Sequence, residues 1–305
     1  MAGDQGLTAV QGARPPRSLA RRVSGTLHRH PRLRLAGLLA GPTVWLVGAY
    51  LGALAILLLS SFWTTDEFTG QVVKTWTTQN YHRLLTTDVY RTVALRSLGV
   101  AAAVTVICVV VAMPMAFFMA KVASPRAQRW LVVAVLTPLW ASYLVKAYAW
   151  RGMFSDGGVI NWVLAPIGLH GPGFGITATI VVLAYLWLPF MILPIYAGLE
   201  RLPDSLLEAS GDLGASAWRT VRSVVVPLVF PSVVAGSIFT FSLSLGDYIA
   251  VQIVGGKNQL LGNLIQTNVG AANDLPMAAA IAMIPVVVMV IYLLAVRRTG
   301  ALDNL

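Results

Sequence analysis

The side chains in this sequence that could do chemistry are few and scattered. Asp247, in FSLSLGDYIAV, and Lys146, in YLVKAYAW, are ionisable residues set within long apolar runs. Charges in such places mark solute or ion paths by default. Lys146 falls near the end of its run, where a long stem lets the ammonium reach water. Asp247 lies deeper, has no basic residue nearby in sequence, and is expected to line a wet cavity. A lone carboxylate falls short of the coupling-ion constellation that a secondary carrier needs near the membrane midplane.

Catalytic signatures are missing. His28, His30, His82 and His170 follow no metal-ligand spacing, so no metal site is expected. There is no G-x-S-x-G elbow. The nearest string to a P-loop is GGKN, Gly255 to Asn258, with Asn where the Mg²⁺-binding hydroxyl belongs. The chain is therefore expected to have no catalytic residue, no cofactor of its own and no ATPase activity. Its one cysteine, Cys108, can form no intramolecular disulfide and reads as a small buried hydrophobe.

Composition explains where such side chains must be held. Of 305 residues 57% are hydrophobic and 11% charged, which is too apolar for a soluble domain of this length. Six runs reach the roughly 20 residues that carry a helix across a bilayer: about 36–62, 93–120, 130–150, 176–199, 229–251 and 276–296. The fold class is thus all-α integral membrane, with six transmembrane helices. The first run is about twice the length of a signal-peptide core and is read as a retained span.

The net charge of +10 need not mean nucleic acid, because seven of the 22 Lys and Arg fall in the first 34 residues, directly before the first run. No aromatic platform accompanies them. They read as a positive-inside signal. With both termini inside, fifteen of the 22 basic residues fall in cytoplasmic segments, and the inverted topology would put those fifteen outside. Residues 1–35 form a basic, aperiodic cytoplasmic tail expected to be disordered. Residues 36–299 form the membrane domain and 300–305 a short cytoplasmic end.

Prolines at 42, 114, 138, 189, 194 and 285 lie inside spans and allow kinks where neighbours satisfy the freed carbonyls. In the outer loop at 63–92, Tyr81, Leu84, Leu85 and Val89 have near-helical spacing, which predicts a short amphipathic helix.

The polar stretch LLEASGDLGASAWRTVRSVVVP, residues 206–227, lies within a cytoplasmic loop at 200–228. Pro203 should end the fourth span. Ser205 to Glu208 has the S-x-x-E spacing of a capping box that starts a new helix. Gly211 and Gly214 allow a tight turn, and a second helix runs from about Ser216, with Trp218, Val221 and Val225 toward one face, to near Pro227. Leu206, Leu207 and Leu213 among the charges make this an interaction surface.

This loop resembles the E-A-A loop of ABC importer permease subunits. Glu208 and Ala209 open the motif, Ser210 stands for its second Ala, Gly214 is the spaced glycine, and Val224, Val226 and Pro227 close it. The similarity extends from NYHRLL (Asn80 to Leu85) through GVINWVL (Gly158 to Leu164) to the end. It is nearest to the spermidine and putrescine permeases in SLGDYIAVQIVGG (Ser244 to Gly256) and LLGNLIQTN (Leu260 to Asn268). It departs from them near Leu243 and Val251, where those permeases often carry Pro.

The resemblance implies a multi-pass subunit of the bacterial plasma membrane. It implies that Ser205, Glu208, Ala209, Ser210, Gly214 and Pro227 dock on a separate ATP-binding subunit, present as a pair and carrying ATP and Mg²⁺. A second permease subunit and an extracytoplasmic solute-binding protein complete the assembly. Glu208 could serve as cap, as contact, or both. The implied solute is a polyamine, with Asp156, Asp247 and Tyr248 as candidate contacts. Six acidic residues face seven basic ones on the outer side, so no acidic funnel supports a polycation independently. Another small organic solute, or an autonomous channel or carrier, remain the alternatives.

Overall fold

The computed structural model describes residues 31–298, Glu67 excepted; residues 1–30 of the tail expected at 1–35, and residues 299–305, which include the end expected at 300–305, lie outside the described residues. The chain divides at Leu57 and Leu58 into two units. In the first, α1 (Pro31–Ser60) is a single 30-residue helix, about 45 Å at 1.5 Å per residue and long enough for a hydrocarbon core of about 30 Å.

In the second unit, α3 (Asp88–Phe117), α7 (Ile176–Glu200) and α10 (Val226–Gly246) pack on one another. On α3, Val104, Cys108, Ala112 and Ala116 recur every fourth residue and are wholly buried, which puts small side chains on one face. That face meets Val182, Leu183, Leu186, Ile192, Ile195 and Leu199 of α7. Cys108 is the small buried hydrophobe expected. The last helix, α13 (Leu275–Arg298), closes a second core with Leu84, Val93, Ala101, Leu245 and Leu261.

Among the described residues five helices are long and apolar enough to cross a bilayer, and a sixth crossing requires a bent pair to act as one. The expected continuous span at 130–150 is thereby corrected. α4 (Pro125–Trp140) and the helical segment Tyr143–Ile167, which begins with α5 (Tyr143–Phe154), meet at 93°, with Ala141 extended and Ser142 non-helical between them. The Lys146 ammonium donates to the Pro138 carbonyl at 3.1 Å, one of the last four carbonyls of α4, which have no helical partner. In a straight helix that cation would stay unpaired among apolar side chains. The bend lets it cap a helix C-terminus, where positive charge is favoured, so Lys146 turns back over the break instead of reaching outward.

The fifth span also differs from the expected 229–251. It runs through Ala217–Gly246 and stops before Asp247; α11 (Ile249–Val254) follows as a separate short helix. Nor does a helix end near Pro227. α9 (Ala217–Thr220) enters a π turn at Val221–Val225, in which the Val226 N–H bonds the Val221 carbonyl, and continues into α10. Pro227 has no N–H to give, and the wider π spacing shifts the ladder where that donor is missing. A second π turn, Phe118–Val122, extends α3.

Between α1 and α3 lie a two-stranded hairpin, which sequence patterning did not anticipate, and the expected helix α2 (Gln79–Thr86). β1 (Thr64–Thr65) pairs antiparallel with β2 (Val72–Val73). Of the four apolar residues with near-helical spacing, Leu84 is buried, Leu85 is exposed and Val89 belongs to α3. The Asp66 carboxylate accepts from the Phe68 and Thr69 N–H groups and the Thr69 hydroxyl. Thr65 donates to Asp274 at 2.8 Å, joining the hairpin to the start of α13.

The hydrogen bonds from Thr69 and Phe68 hold the Asp66 carboxyl below its ordinary range. Its contribution to the turn is complete above about pH 4 and is lost as pH falls through the lowered value. A fluorophore on Phe68→Cys, at a fully exposed tip and with Cys108 buried, is expected to show constant anisotropy from about pH 7 to 4 and a fall below it. Loss of anisotropy already near pH 6 would contradict this.

Candidate functional site

The loop after α7 is a helix, a glycine turn and a second helix. α8 (Asp204–Asp212) starts two residues earlier than expected, with Pro203 instead of Ser205 as N-cap and no side-chain cap. The predicted Ser205–Glu208 capping box is therefore absent. Pro203 fixes the entry, and Asp204 provides the negative charge favoured in a first turn. Ser205, Glu208 and Ala209 are all exposed, and the Glu208 carboxylate closes no cap.

The end of α8 explains the spaced glycine. The Ala215 N–H bonds the Ser210 carbonyl at 3.1 Å and the Gly214 N–H bonds the Gly211 carbonyl at 2.8 Å, the paired bonds of a Schellman ending. Gly214 occupies its left-handed position at φ +78°, where a side chain is strained. Ser216 caps α9 through the Arg219 N–H. Ser210, which replaces the second alanine of the motif, shares a 2.8 Å hydrogen bond with Thr220 and so joins the two short helices. Leu213, at the tip, is 88% exposed, and Leu206 and Trp218 are exposed beside it; Leu207 packs inward.

Four polar contacts fasten this end of the bundle. Lys121, in the π turn after α3, donates to the Leu202 carbonyl and to Asp204, each at 2.6 Å. Gln128 of α4 donates to the Tyr196 hydroxyl at 2.6 Å, and that hydroxyl donates to Glu200 at 3.1 Å, both on α7. None of these residues stood out in the sequence. For Lys121 the available signal was a cation at the end of an apolar span.

At the other break, Asp247 is 8% exposed, which corrects the expectation that it lines a wet cavity. One oxygen accepts from the Ala250 N–H at 2.9 Å, capping α11, and the other accepts a short hydrogen bond from the Tyr143 hydroxyl on α5. The two broken spans are thus joined at their breaks. Tyr143 lies against Trp187. Tyr248, adjacent to Asp247, is exposed; its carbonyl accepts from the Asn263 amide at 3.1 Å. Asp156 lies apart in the exposed turn after α5, where its carbonyl accepts from Asn161. The structure brings Asp247 and Tyr248 together as chain neighbours and records no contact from either to Asp156.

Asn80, Asn161 and Asn263 lie in three of the motifs quoted above, and each staples backbone. Asn80 donates to the Ser61 and Trp63 carbonyls. Asn161 donates to the Ser155 carbonyl and accepts from the Gly171 N–H. Asn263 spans α11 and α12 (Leu261–Val269), accepting from the Leu260 N–H while donating to Tyr248. Among the described residues no cluster of three or more His, Cys, Asp or Glu could hold a metal.

An apolar helical bundle with two broken spans and an exposed helix–glycine–helix loop at one end has the architecture of a membrane permease subunit. The chain belongs to the family of binding-protein-dependent transport system inner membrane components, whose model matches residues 112–298. It is a multi-pass ABC importer permease subunit, a transport component. It is 42% identical to the inner membrane ABC transporter permease protein YdcU of Escherichia coli (strain K12), over 95% of this chain and 97% of that protein. It is 33% identical to the spermidine/putrescine transport system permease protein PotB of the same strain, over 80% of this chain and 90% of that protein.

A solved bacterial ABC transporter involved in the import of the acidic polysaccharide alginate has the same fold, with a TM-score of 0.69 at 15% identity, covering 91% of this chain and 98% of that one. The MetNI methionine ABC transporter gives 0.53 at 18% identity, covering 68% of this chain and 93% of its own.

Proposed function

We propose that this subunit forms half of a path for polyamines, with both termini in the cytoplasm, and takes its energy from a separate pair of ATP-binding subunits through the loop at 200–228. A second permease subunit supplies the other half, and an external solute-binding protein delivers the solute. ATP and Mg²⁺ stay on the partner pair. Six crossings follow if α4 and α5 act together as the third span.

The observation that carries the coupling reading is the state of Glu208. It is an exposed carboxylate on a helix capped without it, beside exposed leucines on a turn held by Gly214 and by the Ser210–Thr220 bond. A charged and apolar surface on a rigid hairpin suits a cleft on another protein. Ser205, Ala209 and Pro227 complete that surface in sequence. Polyamine as solute is supported by the 33% identity to PotB; the name of YdcU specifies no solute. Asp247, Tyr248 and Asp156 remain the proposed solute contacts, Asp247 requiring release from Tyr143 first.

Two measurements test this. The chain should co-purify with an ATP-binding subunit, and Gly214→Trp should lose that partner through the strained turn. Spermidine and putrescine should raise the thermal midpoint of the partner binding protein in a dose-dependent way. Stabilisation by sugars or amino acids alone would replace the polyamine reading and leave the coupling reading intact.

A further inference from the structure

We infer that Lys121 is a positioning residue that ties the second span to the coupling helix, so that movement of α8 is passed into the bundle through α3. This rests on the coupling reading above and goes beyond it, since it names how displacement leaves the loop. The observation is a cation whose side chain is 8% exposed, with its ammonium 2.6 Å from both the Leu202 carbonyl and the Asp204 carboxylate. Leu202 is itself buried, whereas Asp204 is 73% exposed.

The two contacts differ in kind. The Leu202 carbonyl follows the end of α7, where no helical donor is left for it, so Lys121 fills a requirement of buried backbone. Asp204 is the first residue of α8, and its contact with Lys121 connects the coupling helix to α3. A charge-assisted bond at this distance is short and directional, and it joins a mostly covered Lys121 side chain to a carboxylate at the exposed end of the bundle. Lys121 occupies the π turn Phe118–Val122, a local irregularity of the kind found at functional sites in helices. Displacement of Asp204 therefore acts on the end of a helix that lines the core beside α7 and α10.

The test is performed on the reconstituted importer with its ATP-binding subunits, reading solute taken up per ATP hydrolysed. Lys121→Met is expected to keep the ATP-binding subunits bound and hydrolysing while uptake per ATP falls about tenfold, within the usual range of coupling between sites. Lys121→Arg should restore most of that ratio, because the cation and its reach are kept. Should Lys121→Met fail to accumulate, Asp204→Asn serves: its side chain is mostly exposed, and the ratio should fall about threefold.

A merely structural Lys121 would lower the amount of complex and leave uptake per ATP in what remains unchanged. An unchanged ratio in whichever of Lys121→Met and Asp204→Asn assembles would overturn the inference. Failure of the unsubstituted chain to bind ATP-binding subunits would overturn the coupling reading, and the inference with it.

Discussion

Glu208→Lys is expected to leave the membrane subunit folded and to reduce ATP-dependent uptake by about a hundredfold or more, since like charges at an interface cost several kcal/mol. Folding should be spared because Glu208 is exposed and closes no cap, and surface substitutions of this kind stay within about 0.5 kcal/mol. Co-purification, ATPase stimulation and uptake should fall together, while the thermal midpoint of the isolated subunit stays put. Two results separate the possible roles of this residue. A drop in the subunit's own midpoint would make Glu208 a fold residue after all, and normal assembly with normal uptake would remove it from the interface.

Gly262→Ala should have the largest effect on the bundle itself. Gly262 is buried in the first turn of α12, and a Cβ there would lie 2.7 Å from the Asp247 carbonyl oxygen and 2.8 Å from that of Gly246. Both neighbours are backbone at the point where α10 ends, so no flexible side chain can yield. The helix N-terminus is meanwhile held by Leu261 N–H to Ser97 at 2.8 Å and by Asn263 to Tyr248. Relief must come from moving α12 or opening the break, and overpacking of this kind costs about 1–3 kcal/mol. A lower thermal midpoint in detergent is expected, with partial recovery in a lipid bilayer. An unchanged midpoint would mean that the break is looser than this geometry.

The predictability of each feature from sequence depended on the range of the interaction. Helices at Ile176–Glu200 and Leu275–Arg298 follow from unbroken apolar runs, because length and composition are local properties. The bend at Ala141 and Ser142 is invisible to that measure, since the residues remain apolar across it and only Lys146 marks the need for a carbonyl. Asp247 has no partner nearby in sequence because its partner, Tyr143, is 104 residues away.

In the loop, the S-x-x-E spacing was present but Pro203 set the start two residues earlier, so a valid pattern fell in the wrong register. Gly214 was placed correctly as a turn residue because a left-handed position leaves a residue-level mark. Ser210 shows the opposite case, a departure from the motif whose use is apparent only beside Thr220. Lys121 belongs with Asp247, since Leu202 and Asp204 are more than 80 residues away in the chain.

The most direct test of the central claim is solute uptake into proteoliposomes holding this chain with its partner permease and ATP-binding subunits, with the solute-binding protein added outside. The account predicts uptake only when ATP is enclosed and the ATP-binding subunits are present, and none from this chain alone. Transport by this chain alone in vesicles free of ATP would contradict it and make the protein an autonomous channel or carrier.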